Sequence, residues 1–297
     1  MTTFTVTETV YGIDVEMFDR GVASVYLFDD DEPTLVDAGI ATGAETIADG
    51  IEACGLSPSD LSNLVLSHIH TDHTGAAADL VETAPGLDVY IHESTASHLI
   101  DPGGLVESSK RAMGDHFELM GEQGPVPEAN VVGVPDDGTT IDVGTNSLEL
   151  IHVPGHSPDH FAVWNPERDL LFAAECLGLY LERAGQWLPP ASLPNFDVET
   201  LEESIDRLEA LDPDRIVVPH YGEWPADPDD AFETARTELH RYDERILELH
   251  DGTDSVEETK RAVAAELLDL SPPYDPAVES FFASLLTDGY LTYHGRV

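Results

Sequence analysis

Positive charge is the scarcest property of this sequence. Its 297 residues hold 13 lysines and arginines against 59 aspartates and glutamates, a formal net charge of −46, and Lys110 and Lys260 are its only lysines. With so few cations, no basic patch is available to meet nucleic-acid phosphates or an anionic membrane, so a membrane is not expected as a partner and a nucleic acid is disfavoured. Cysteine is nearly absent as well. Cys54 and Cys176 cannot build a disulfide framework, which suits a reducing cytoplasm. The opening MTTFTVTETV has neither the basic nor the apolar stretch of a secretory signal. No apolar run approaches the roughly 18 residues that a membrane span needs. The expectation is a folded cytoplasmic protein.

High net charge often marks disorder, but here the acids are dispersed among periodic apolar segments. This dispersion resembles the surfaces of haloarchaeal proteins. In molar salt the Debye length falls to about 3 Å, so carboxylates hydrate the surface without strong self-repulsion.

The length fits one large domain, or a domain with a small appendage. Short β-rich runs are expected at 3–10, 15–18, 22–28, 34–36, 63–67 and 88–92, with helices at 44–53, 75–83 and 107–120. A second strand-rich stretch follows at 130–134, 139–143, 148–153, 161–164 and 170–173. After it come a helix at 198–211 and a strand at 215–218. Two strand-rich halves, each followed by helices, suggest an α/β fold of two packed sheets with helices outside. The texture changes near residue 225. Residues 226–297 read as three helices, 231–250, 256–269 and 276–286, with a short strand at 289–293. This gives a unit of 1–225 and a helical extension of 226–297.

Chemistry concentrates in His68-Ile69-His70-Thr71-Asp72-His73, which lies just past the apolar strand NLVLS. Three imidazoles and a carboxylate at this spacing suit a borderline divalent ion. Alternation in a loop points His68 and His70 to one centre, and a turn lets Asp72 and His73 reach a second.

The motif and its place after a strand resemble the metallo-β-lactamase-fold hydrolases, over most of residues 1–223. The resemblance implies an αββα sandwich, here with a C-terminal extension that is helical or winged-helix-like. It implies that Asp37 in LVDAG steadies the metal loop. It makes His156 of VPGHSPDH a ligand beside His68 and His70, and His160 a scaffold residue. His220 of IVVPHYG becomes a ligand of the second metal, and Tyr221 beside it either donates a hydrogen bond to a substrate oxyanion or packs next to the site. The family's bridging aspartate is replaced by Glu175, one methylene longer, which bridges two ions, binds one or leaves a position to water. Cys176 beside it reads as a small core residue. The other histidines lack ligand spacing, although His116 lies in a segment able to line a substrate channel.

The implied cofactor is a pair of divalent ions, zinc first, with iron or manganese as alternatives. Metal one takes His68, His70 and His156; metal two takes Asp72, His73 and His220, with Glu175 between. A water shared by two cations is acidified, so a bridging hydroxide attacks while Asp72 orients it. The expected substrate is a small ester, thioester or lactone. The alternatives are a mono-iron persulfide dioxygenase, a phosphodiesterase or ribonuclease of the same fold, and a ligand-binding homologue without turnover. The C-terminal helices are expected to complete the roof of the pocket or to form a homodimer interface.

Overall fold

The computed structural model describes residues 3–191 and 195–297, the side chain of Asp115 excepted. Among these, the alternating apolar residues of the N-terminal half form a seven-stranded sheet. In spatial order it holds β1 (Thr3–Thr7), β2 (Val10–Asp14), β3 (Ser24–Phe28), β4 (Thr34–Val36), β5 (Asn63–Val65), β6 (Asp88–His92) and β7 (Val131–Val134). The first four strands pair antiparallel; β4 to β7 pair parallel. Parallel neighbours need crossovers. These are α1 (Ala44–Ala53), then α2 (Thr71–Thr74) and α3 (Ala77–Thr83), then α4 (Ala96–Ile100), α5 (Gly103–Met113) and α6 (Phe117–Met120).

The second sheet has six strands among the described residues. Its order is β8 (Thr139–Asp142), β9 (Ser147–His152), β10 (Phe161–Asn165), β11 (Leu170–Phe172), then the later strands Arg215–Val218 and Gly222–Glu223. Between β11 and those two come a separate hairpin, β12 (Leu179–Leu181) and β13 (Gln186–Leu188), and the crossover helix α7 (Val198–Glu209). The later strands are β14 and β15, and β11 pairs parallel with β14.

The period of two along each strand sorts its side chains between two cores. Tyr26, Phe28, Val36 and Val65 meet Phe161, Val163, Phe172 and Val217 between the sheets. Val25, Leu27, Leu35 and Leu64 point the other way and pack with Ile47 and Ile51 of α1. Trp164, Leu171 and Ile216 do the same on the second sheet, beneath Leu201, Ile205 and Leu208 of α7. Each fully buried apolar side chain contributes about 1.5–3 kcal/mol. The result is the expected αββα layering, with the strand-to-helix loops of both sheets meeting at one edge.

Residues beyond 225 form α8 (Pro228–Asp251), α9 (Val256–Leu267) and α10 (Pro276–Tyr293). Asp227, Ser255 and Asp275 cap their N-termini through side-chain bonds to the amides of Asp229, Glu258 and Ala277. The strand expected at 289–293 is helix instead. Phe282, Leu286 and Tyr290 recur every four residues on one face, and burying that face continues α10. With that strand gone, no wing follows the helices among the described residues, and the winged-helix option falls.

The strand expected at 15–18 is a loop in which Glu16 and Phe18 have positive φ. The run 3–10 divides into β1 and the start of β2 at a turn. The helix expected at 107–120 begins earlier, at Gly103, and breaks at Gly114, whose φ is +54°. The hairpin β12–β13 carried no expectation.

Candidate metal centre

The site is built on a loop that two buried carboxylates hold from opposite sides. Asp37 follows β4 with φ +63°. It accepts the Ser67 amide at 2.8 Å, the Ser67 hydroxyl at 3.1 Å and His73 Nδ1–H at 2.8 Å. Asp159 accepts the Ile69 amide and the Thr95 hydroxyl, each at 2.9 Å, and the Ser157 hydroxyl at 2.8 Å. The chain from Ser67 to His73 is thereby fixed at both flanks. Behind it the backbone approaches so closely that only glycine fits at position 75. A Cβ there would lie 2.3 Å from the Ala41 amide nitrogen and 2.5 Å from the Ile40 carbonyl carbon.

These contacts decide which ring nitrogen each histidine presents. The Ser67 hydroxyl donates to Asp37, so it accepts from His68 Nδ1–H at 3.0 Å. His73 donates Nδ1–H to Asp37, and His220 donates Nδ1–H to the Val22 carbonyl at 3.0 Å. All three therefore aim an Nε2 lone pair inward, the arrangement in which an outer partner fixes a metal-ligating imidazole.

Two donor sets result. His68 Nε2, His70 Nδ1 and His156 Nε2 form a triangle with edges of 2.7, 3.2 and 3.2 Å. A single proton can bridge one edge of such a triangle, not three. A tetrahedral ion with bonds of about 2.0–2.1 Å spaces its nitrogens by roughly 3.3 Å, which matches the two longer edges. The second set is Asp72, His73 and His220, with Asp72 Oδ2 lying 3.7 Å from His73 Nε2 and 3.6 Å from His220 Nε2. Glu175 stands between them. Its Oε1 is 3.0 Å from His73 Nε2, 3.3 Å from His156 Nε2, 3.7 Å from His68 Nε2 and 3.8 Å from His220 Nε2. The extra methylene of glutamate still brings an oxygen to the junction of both sets.

Charge balance points the same way. Asp37, Asp72 and Glu175 are buried, and no lysine or arginine lies within 4.0 Å of them among the described residues. Buried carboxylates require a cationic counterpart. Burial lowers the His68 and His156 imidazoles well below the usual range, and the surrounding histidines lower them further. Burial would lower His73 too, but the Asp37 and Asp72 carboxylates reverse this and raise it well above that range. Against the upward pull of burial, neighbouring histidines hold Asp72 and Glu175 well below the ordinary carboxylate range. The donor chemistry fits divalent ions.

A cavity of about 780 Å³ opens over this cluster. His70, Asp72, His156, Glu175 and His220 line its floor, and Leu105, Met113, Phe281, Phe282 and Leu285 line its walls and roof. Phe282 stands with its ring centroid 6.3 Å from that of His220. Thr71, also lining the cavity, is buried, and its hydroxyl has no hydrogen-bond partner among the described residues.

The fold thus gathers His68, His70, Asp72, His73, His156, Glu175 and His220. Tyr221 does not join them. It is not among the residues lining the cavity, and its ring packs on Phe4 at 5.2 Å. The strand-end geometry that turns His220 inward turns its neighbour outward. His160 is a scaffold residue: it donates Nδ1–H to the Val153 carbonyl and accepts the Glu175 amide through Nε2 at 3.1 Å. Burial takes it down to about 4. Cys176 is buried in the core. His116 lines the cavity, and so does His98. Asp159 sits inside the quoted SPDH motif, yet the sequence assigned it no role, because its partners Ile69 and Thr95 are distant in the chain.

The Metallo-beta-lactamase superfamily profile matches residues 18–220. The chain is 27% identical over 206 residues to the metallo-beta-lactamase fold-containing protein ST1585 of Sulfurisphaera tokodaii, covering 68% of this chain and 73% of that one. It is 26% identical over 213 residues to the hydroxyacylglutathione hydrolase GloC of Haemophilus influenzae, covering 71% and 90%. It is 24% identical over 225 residues to the acyl-coenzyme A thioesterase MBLAC2 of Gallus gallus, covering 67% and 73%. The crystal structure of ST1585 shares the fold, with a TM-score of 0.71 at 20% identity over 97% of this chain and 99% of that one. The chain belongs to the metallo-beta-lactamase superfamily.

Proposed function

We propose that this member of the superfamily, a metal-dependent hydrolase, holds two divalent ions and cleaves a small ester or thioester. His68, His70 and His156 hold one ion, and Asp72, His73 and His220 hold the other. Glu175 serves both. The observation that carries this reading is the position of Glu175 Oε1 at 3.3 and 3.7 Å from His156 and His68 of the first set, and at 3.0 and 3.8 Å from His73 and His220 of the second. Zinc is the ion we propose, because imidazole and carboxylate donors suit it. Bound there, the ions would supply an acidified water and a Lewis acid for the carbonyl oxygen.

The chain supplies the rest. Asp37, Ser67 and the Val22 carbonyl hold the imidazoles in the ligating tautomer. The Asp72 carboxylate, open to the cavity, accepts a hydrogen bond from the attacking water and orients it. Hydrolysis forms one C–O bond from water and breaks the acyl C–S or C–O bond, whose electron pair leaves with the thiol or alcohol. One water proton ends on that leaving group. The apolar roof excludes bulk water and accepts a hydrocarbon portion.

The names of the thioesterase and hydroxyacylglutathione hydrolase relatives support the thioester arm. We read residues 1–225 as the catalytic unit and 226–297 as the extension that roofs it. The charge of −46 supports a salt-adapted protein. A panel of acyl thioesters, esters, lactones and a phosphodiester, assayed with zinc, iron or manganese, tests the reading. Chelator-sensitive turnover of a thioester or carboxylic ester is expected. Turnover of the phosphodiester alone would contradict it.

A further inference from the structure

Of the 13 cations in this chain, nearly all have been taken by its carboxylates. Arg236 pairs with Asp206 and Glu209, Arg245 with Glu248 and Glu266, and Lys260 with Asp288. Arg111 is different. Among the described residues it has no carboxylate within 4.0 Å and no hydrogen bond. In a chain with 59 acids, a guanidinium without a carboxylate partner among the described residues is a conspicuous exception. It sits in the last turn of α5 and lines the cavity above the metal-ligand cluster. Its neighbour Lys110 turns away from the cavity and is held by Glu122 at 2.6 Å and Glu107 at 3.5 Å. Adjacent positions on one helix thus place a neutralised cation outside the cavity and, inside it, one without a carboxylate partner among the described residues.

The surroundings of Arg111 define what it can hold. Leu105, Met113, Phe281 and Leu285 supply apolar wall and roof in the same cavity. A guanidinium offers a planar fork that matches a carboxylate or phosphate. The global charge would repel such an anion from the surface, so a local cation is needed to retain it.

We propose that Arg111 is the anion-recognition residue of this cavity. On the ester or thioester reading above, the substrate is then an amphipathic acyl compound. Its hydrocarbon part lies under α10, and a carboxylate or phosphate remote from the reacting carbonyl pairs with Arg111.

The test uses the full chain, loaded with metal, and two octanoyl thioesters. One is made on mercaptopropionate, an anion, and the other on N-acetylcysteamine, which is neutral. The quantity read is the ratio of their kcat/KM values. Arg111→Ala is expected to lower that ratio about tenfold, mainly through KM of the anionic probe. Arg111→Lys should keep part of it and Arg111→Glu should lower it further. Lys110→Ala is expected to leave it unchanged. An unchanged ratio in Arg111→Ala and Arg111→Glu would overturn the proposal. If the wild-type protein cleaves neither thioester, the reaction assignment fails while the anion site is read separately by fluorescence titration with anilinonaphthalene sulfonate. About tenfold weaker binding to Arg111→Ala then supports the proposal, and equal binding overturns it.

Discussion

Asp37 and His73 are 36 positions apart in the chain and meet at 2.8 Å, both buried, with the aspartate in a left-handed backbone conformation. The same carboxylate receives two bonds from Ser67, and Ser67 receives the ring of His68. One side chain thereby sets the tautomer of a donor in each of the two sets.

Asp37→Asn therefore removes no ligand but is expected to weaken metal binding. An amide has one acceptor oxygen for three donors. Loss of such an outer partner commonly costs 10–100-fold in metal affinity. Competition with a chromophoric chelator measures it, and affinity equal to wild type would refute the role given to Asp37.

Gly75→Ala tests the packing behind the loop. The new Cβ would meet only backbone, including the Gly39 carbonyl oxygen at 2.7 Å, so no flexible side chain can yield. Overpacking of this kind costs about 1–3 kcal/mol. A chemical-denaturation midpoint lowered to that extent, with weaker metal binding, is expected. A midpoint unchanged from wild type would show that the Gly39–Ala41 backbone is free to move.

Asp30 carries a pH dependence apart from the metal site. Burial would raise its carboxyl, but the amides of Thr145 and Asp31 and the side chains of Asn146 and Thr145 pull it down to about 2. An unfolded aspartate titrates near 3.9. The folded value is depressed, so the contribution to stability is complete above about pH 4 and fades as pH falls toward 2. Asp30→Asn should be less stable than wild type at neutral pH, with the gap narrowing below about pH 4. A gap independent of pH between 7 and 3 would contradict this.

Legibility in the sequence followed locality. His68, His70, Asp72 and His73 share one short loop, so their chemistry shows in spacing alone. His156, Glu175 and His220 each end an apolar strand and were recognisable only through resemblance to a family. Tyr221 stays open between an oxyanion donor and a packing residue in the sequence, because adjacency to a ligand says nothing about which way a strand end turns its neighbour; in the structure its ring packs on Phe4 of β1. Gly289–Tyr293 read as a strand because aromatic residues favour one locally. Its real partners, Leu239 on α8 and Phe196, are distant in the chain. The loop at 15–18 also misread, since Phe18 finds its partner in Phe281 at 5.0 Å, on the last helix.

The central claim is that Glu175 joins two metal positions. Elemental mass spectrometry of protein purified without added metal in high salt, alongside Glu175→Ala and His70→Ala, tests it most directly. The expected result is two divalent ions per wild-type chain, with fewer in both variants and thioester or ester turnover reduced at least a hundredfold. Two ions retained in Glu175→Ala with wild-type turnover would contradict the claim, as would a wild-type chain that still binds only one ion after reconstitution.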